Sequence, residues 1–177
     1  GEATVHSDVV FPSGHIIQIA QATKTATETF NNENWTTAIS SLNPSFVTKK
    51  ANSKILVETS QHWGSAISGA EGVGIRLYRN DGTGYAEVTG TRDGTLSWSC
   101  WFNIAGYTGD QYAPEGVTAS FLDSPSVAAG TTLTYAFHPR PHSSGYPVYL
   151  NIGMGYDSDT NGRWRPLTSA TIMEIAA

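Results

Sequence analysis

Apolar side chains recur at every second position along most of this chain, a period that confines it to extended strands with one face buried and the other open. In TLTYAFH, Leu133, Tyr135 and Phe137 share one side while Thr132, Thr134 and Ala136 share the other. VGIRLYR aligns Val73, Ile75 and Leu77 and then runs into NDGTG, where Asp81 and Gly82 carry a hairpin-turn signal. LSWSCWF sets Leu96, Trp98, Cys100 and Phe102 inward and leaves Ser97, Ser99 and Trp101 on the opposite face. VYLNIGM gathers Val148, Leu150, Ile152 and Met154. Further strands are predicted over 15–24, 36–47, 54–63, 85–89, 117–122 and 169–175. No window carries a helical stripe with caps. Short strands separated by Gly, Pro, Asn and Asp turns define an all-β chain, expected as an antiparallel sandwich of two packed sheets, jelly-roll-like.

Two segments break the pattern. Residues 1–12, GEATVHSDVVFP, read as an N-terminal arm or linker, leaving residues 13–177 as a single sandwich domain. HPRPHSSGYP, over 138–147, holds three prolines, which predicts a loop outside any regular ladder. No internal duplication or low-complexity tract occurs. The 177-residue length suits one domain with a core large enough to fold unaided.

Charge narrows the partners. Lys plus Arg total 10 and Asp plus Glu total 15, a formal charge of −5 without any run of one sign. Such a surface repels phosphate backbones, which argues against nucleic acid and anionic membranes as partners. Charged residues make up only 14%, against about 25% in an ordinary globular protein, and Ser, Thr, Asn and Gly carry the polar surface instead. Cys100 is the only cysteine, so no intramolecular disulfide forms, and its expected role is a small buried apolar side chain. No apolar run approaches the ~20 residues that span a bilayer, so membrane insertion is not expected. The chain starts at Gly1 without an initiator methionine, as a processed chain or a piece of a longer one does.

The motifs that promise chemistry are weak. DSDTNGRW, residues 157–164, opens like a calcium loop, with Asp157, Asp159 and Asn161 at alternating positions and Gly162 at the turn. Thr168 stands where the bidentate Glu belongs, and Arg163 and Arg165 fall among the ligand positions. Asp, Asn and Gly accumulate in turns for their own backbone reasons, so no metal is expected. His138 and His142 are four apart, but two intervening prolines exclude the helix that would put both rings on one face. Asn34, Trp35 and Thr36 form a glycosylation sequon, a triplet that also arises by chance. There is no GxSxG elbow, phosphate loop or HExxH, and no positioned nucleophile or base. Catalysis and cofactors are therefore not expected.

The aromatic residues are more informative. Trp101 faces away from the apolar set of its strand pattern, and Tyr107, Tyr112, Tyr146, Tyr156 and Trp164 lie in segments rich in Gly, Ser, Thr and Asn. Flat rings beside short polar side chains suit recognition of carbohydrate or protein, because they present rigid area with little entropy to lose. The same rings serve equally as core, loop anchors or subunit contacts.

Five phrases carry a resemblance: GHIIQIAQATKT at 14–25, NPSFVTKKANSKILVETS at 43–60, GIRLYRNDGT at 74–83, GVTASFLDSPSVAAGTTLTYAF at 116–137 and TIMEIAA at 171–177. In this order they resemble the C-terminal domain of tail-fibre or head-fibre proteins of tailed bacteriophages, especially marine phages, and cover nearly all of the chain from Ser13. The resemblance implies a virion structural protein, homotrimeric, joined to other virion proteins on its N-terminal side by a stalk. It implies a fibre tip that attaches to a host-surface glycan or protein, made in the host cytoplasm and carried on the extracellular particle. The alternatives within reach are a capsid decoration protein without receptor binding and a lectin-like module of a secreted protein. The resemblance supplies no binding residues of its own.

Overall fold

A computed structural model describes residues 12–65, 72–94, 96–104, 114–153 and 165–177. The arm over 1–11, the segment 105–113 and the DSDTNGRW stretch lie outside the described residues, as do Tyr107, Tyr112, Tyr156 and Trp164.

The alternating stretches become eleven strands: β1 (Ile16–Lys24), β2 (Glu28–Phe30), β3 (Ser45–Val47), β4 (Lys54–Ser65), β5 (Val73–Asn80), β6 (Tyr85–Glu87), β7 (Phe102–Ile104), β8 (Glu115–Asp123), β9 (Thr132–Pro141), β10 (Val148–Leu150) and β11 (Thr168–Ile175). No helix occurs among the described residues. One antiparallel sheet runs β1-β11-β4-β8, with β10 and β2 continuing beside the far end of β4. The other runs β3-β9-β5, with β6 and β7 both on the free side of β5. The chain crosses between sheets so that β1, β4, β8 and β11 fall in one and β3, β5, β7 and β9 in the other, which is the connectivity of a jelly roll.

The two inner faces meet in one core. Ile55, Val57, Leu150 and Ile172 from the first sheet pack opposite Ile75, Leu77, Leu133, Tyr135 and Phe137 from the second, all inaccessible to water. Each such side chain stabilises the fold by roughly 1.5–3 kcal/mol relative to exposure. The polar groups taken inside are partnered. Gln61 accepts from Trp63 Nε1 at 3.0 Å and donates to Thr59 at 3.2 Å. Glu174 accepts from the Lys49 and Lys50 main-chain N–H groups at 3.0 Å, and from Gln18 at 2.5 Å.

The structure corrects four expectations. The 36–47 strand shrinks to β3, because Ile39 and Leu42 are three apart rather than two and Ser41 takes a left-handed conformation. The strand expected over VYLNIGM ends at Leu150: Asn151 turns to φ 62° and its side chain donates to the carbonyls of Lys24 and Ala26. LSWSCWF is a strand only from Phe102. Ser99 spends its hydroxyl on the carbonyls of Asp93 and Leu96, a local alternative to ladder pairing, and Leu96 and Trp98 face solvent instead of the core.

The fourth correction decides the site. The predicted proline loop begins as strand: β9 continues through Pro141, with Pro139 opposite Ile75 and Pro141 opposite Val73. Odd-numbered residues of β9 direct their backbone groups away from β5, as Tyr135 N–H to Pro44 and the Phe137 carbonyl to Ile39 N–H demonstrate. The two prolines therefore occupy positions whose missing N–H costs no bond to β5, while His138 before them and Arg140 between them stay in register.

Candidate functional site

The side chains that strand alternation sends outward on β5 and β9 face each other in pairs: Gly74 opposite Arg140, and Arg76 opposite His138. Onto this outer surface folds the irregular segment before β3. Asn34 accepts from the main chain of Thr36 at 3.1 Å in a tight turn, and the turn presents Trp35 to the sheet. The ring fits because Gly74 lacks a side chain: a Cβ there would lie 2.9 Å from Trp35 Cη2. His138 fixes the Trp35 main chain from below, its Nδ1 lying 2.7 Å from the Trp35 carbonyl and so carrying the proton.

From the other side the turn over 96–101 closes in. The Ser97 carbonyl accepts from Arg76 Nη2 at 2.7 Å, Arg140 Nη1 at 3.3 Å and Trp35 Nε1 at 3.4 Å. Cations and rings then alternate in space. Arg76 lies 4.1 Å over Trp35, Arg140 lies 5.6 Å from Trp35 and 3.5 Å from Trp98, and the His142 ring sits 5.3 Å from Trp98. Between them opens a cleft of about 450 Å3, floored by Val73 and Gly74 and rimmed by Trp98, Asn103, Arg140 and His142. A shallower depression adjoins it across Trp35 and Arg140, lined in part by Glu33, Arg76 and Arg92.

The electrostatics are uneven. Arg76 shares Glu87 with Arg92: it lies 3.6 Å from that carboxylate, which Arg92 also grips. Arg140 has no ion pair among the described residues, and its buried Nε finds no acceptor. Burial pushes its guanidinium down from the ordinary value, with the Glu33 charge acting the other way. Glu33 is itself held by the Ser144 N–H at 2.6 Å, which keeps its carboxyl below the usual range. Cys100 lines the cleft half-buried, and burial raises its thiol.

Among the aromatic residues singled out in the sequence, Trp101 packs partly buried against the core, stacked on Phe137 at 6.2 Å and edge-on to Phe102. Tyr146 is exposed in the turn after β9, where its N–H bonds to the Ser143 carbonyl. The cleft brings together neither of them. Its own rings, Trp35 and Trp98, entered the sequence reading as part of a sequon and as an inward strand residue. The available signal was the spacing in HPRPH: prolines two apart on one backbone edge allow a strand whose alternate residues, His138 and Arg140, share the other face.

No protein-family model matches the chain, and no curated protein matches it in sequence. Similar folds exist among solved structures, proteins of virus particles included. Infectious bursal disease virus, Gx strain, aligns with 100% of this chain and 42% of its own at 10% identity and TM-score 0.43. The CBM22-1 xylan-binding domain of Paenibacillus barcinonensis Xyn10C aligns over 95% of this chain and 99% of its own at 12% identity and TM-score 0.35. The PRD1 vertex protein P5 aligns over 92% and 98% at 11% identity and TM-score 0.30. At these values the likenesses carry nothing about function.

Proposed function

We propose that this chain is a recognition domain at the tip of a tailed-phage fibre, that it attaches the particle to its host, and that it works by binding rather than catalysis. The cleft carries this reading: two tryptophans, an arginine and a histidine, held on the outer face of a rigid jelly roll, line a volume within the roughly 300–1,000 Å3 typical of ligand sites. Loops seated on such a scaffold suit recognition, because the framework supplies rigidity while the irregular segments supply chemistry. The virion setting rests on the sequence resemblance, whose five phrases fall on β1, β3 with β4, β5, β8 with β9, and β11, the frame of both sheets.

A homotrimer fits the outer face of the first sheet. There Ile19, Met173, Leu56 and Leu122 form one row across four strands, with Ile19 59% and Leu122 47% exposed. A continuous apolar row across an exposed sheet face is what burial against another copy would use.

The deciding experiment is adsorption. Fluorescently labelled chain, added to cells of a marine strain that the parent virus infects, is expected to coat the cells and to compete with the virus for them. A folded chain that leaves such cells bare and does not slow infection overturns the attachment reading.

A further inference from the structure

We propose that the cleft takes a carboxylate-bearing saccharide, its carboxylate on the Arg140 guanidinium and its ring against Trp98; this assignment rests on the binding reading above and names its ligand class.

Arg140 makes no ion pair among the described residues, although the Glu33 charge acts on it. Among the described residues its enclosed Nε has no acceptor, and Nη1 reaches the Ser97 carbonyl at 3.3 Å. That oxygen has two lone pairs and already serves Arg76 at 2.7 Å and Trp35 at 3.4 Å. The demand of the guanidinium therefore falls on its terminal nitrogens, beside the cleft, where a planar carboxylate would find the fork geometry that arginine matches. The surroundings favour an anion too. The chain as a whole carries −5, yet Arg76, Arg92 and Arg140 gather here against Glu33 and Glu87.

The rest of the cleft suits a sugar. Trp98 stays 48% exposed although a cation rests 3.5 Å from its ring, so apolar area remains for the C–H face of a pyranose. Asn103, exposed at the rim, offers both a donor and an acceptor for hydroxyls. An acidic peptide fits less well, since peptide capture on sheets uses a free strand edge. β5 is paired on both sides, and Pro139 and Pro141 remove the donors from the outer edge of β9.

The test is calorimetric titration of the full chain with a glucuronic acid tetrasaccharide, with the same sugar after carboxyl reduction, and with a glutamate-rich peptide. Binding of the acidic sugar is expected, weakened roughly tenfold or more by carboxyl reduction, as loss of a charge-assisted pair implies. Arg140→Lys, which keeps the charge and loses the fork, should weaken it as well. Trp98→Ala should abolish it with melting temperature unchanged, because that ring is outside the core. Equal binding of both sugars, no binding of either by folded protein, or tighter binding of the peptide each overturns the assignment. A chain that coats host cells yet ignores the acidic sugar sinks this assignment and leaves the attachment reading standing; one that binds the sugar and no cell does the reverse.

Discussion

Trp35 lies over Gly74, and the space between them is the side chain that Gly74 does not have: a Cβ would stand 2.9 Å from Trp35 Cη2 and 3.3 Å from Cys100 Sγ. The glycine is needed here for close approach and not for an unusual φ, so what it protects is the position of the ring.

Gly74→Ala should therefore destabilise the fold by about 1–3 kcal/mol, the usual cost of overpacking, and should shift tryptophan emission as Trp35 is displaced. Gly94→Ala is the control, since a Cβ there meets nothing within 4 Å, and should stay within about 0.5 kcal/mol. Urea unfolding of both variants checks this, and equal midpoints would remove Gly74 from the account.

The Asp123 carboxylate on β8 of the first sheet ties β9 and β5 of the second. It accepts from Tyr135 Oη at 2.6 Å and from Arg79 Nη1 at 2.5 Å, and burial with the adjacent carboxylate pushes the Tyr135 hydroxyl far above its ordinary range. Tyr135→Phe should cost about 1–2 kcal/mol, because Arg79 still satisfies the carboxylate. Asp123→Ala, which strands a cation and a buried hydroxyl, should cost about 3–5 kcal/mol. The order of the two in thermal melts is the check.

His138 gives the fold a pH dependence. Burial lowers its pKa from the ordinary 6.5, its Nε2 has no hydrogen-bond partner among the described residues, and it faces Arg76 across the ladder with the Tyr78 ring tilted against it at 4.0 Å and Tyr85 at 6.4 Å. Near pH 6.5 the unfolded chain binds a proton at this site more readily than the native chain does. Stability is therefore full above that value and falls as pH drops below it. Melting temperature measured from pH 7.5 to 5.5 should fall, and His138→Gln should flatten the slope over this window.

Cys100 reports on the cleft. With its thiol pushed up by burial, Cys100 should react with iodoacetamide more slowly at pH 8 than a free thiol does, gaining rate only at higher pH. Modification at the free-thiol rate would mean that the cleft floor is open to solvent.

The exposed row on the first sheet predicts assembly. If Ile19, Met173, Leu56 and Leu122 meet another copy, Ile19→Glu should convert a trimer to a monomer in light scattering, with the strand spectrum unchanged. A wild-type chain that is monomeric at high concentration would rule the trimer out.

Period-two alternation was enough to locate most of the frame. Val73, Ile75, Leu77, Leu133, Tyr135 and Phe137 alternate because one face of a strand must leave water, and that requirement is written residue by residue. It was also enough for the two-sheet architecture, since a helix-free chain with this many one-sided strands can bury them only against each other. What alternation could not carry was the site. Arg140 and His138 looked like loop residues until the backbone direction of β9 was known, because proline is harmless or disruptive according to which edge it faces. Trp98 alternated as though it were core, and only the hydroxyl of Ser99, bonded to Asp93 and Leu96, turned it outward. Trp35 comes to Gly74 from 39 positions away in the chain. Burial is a local demand that each residue states for itself, whereas a cleft is made by the pairing of distant segments, and that pairing exists only once the sheets have closed.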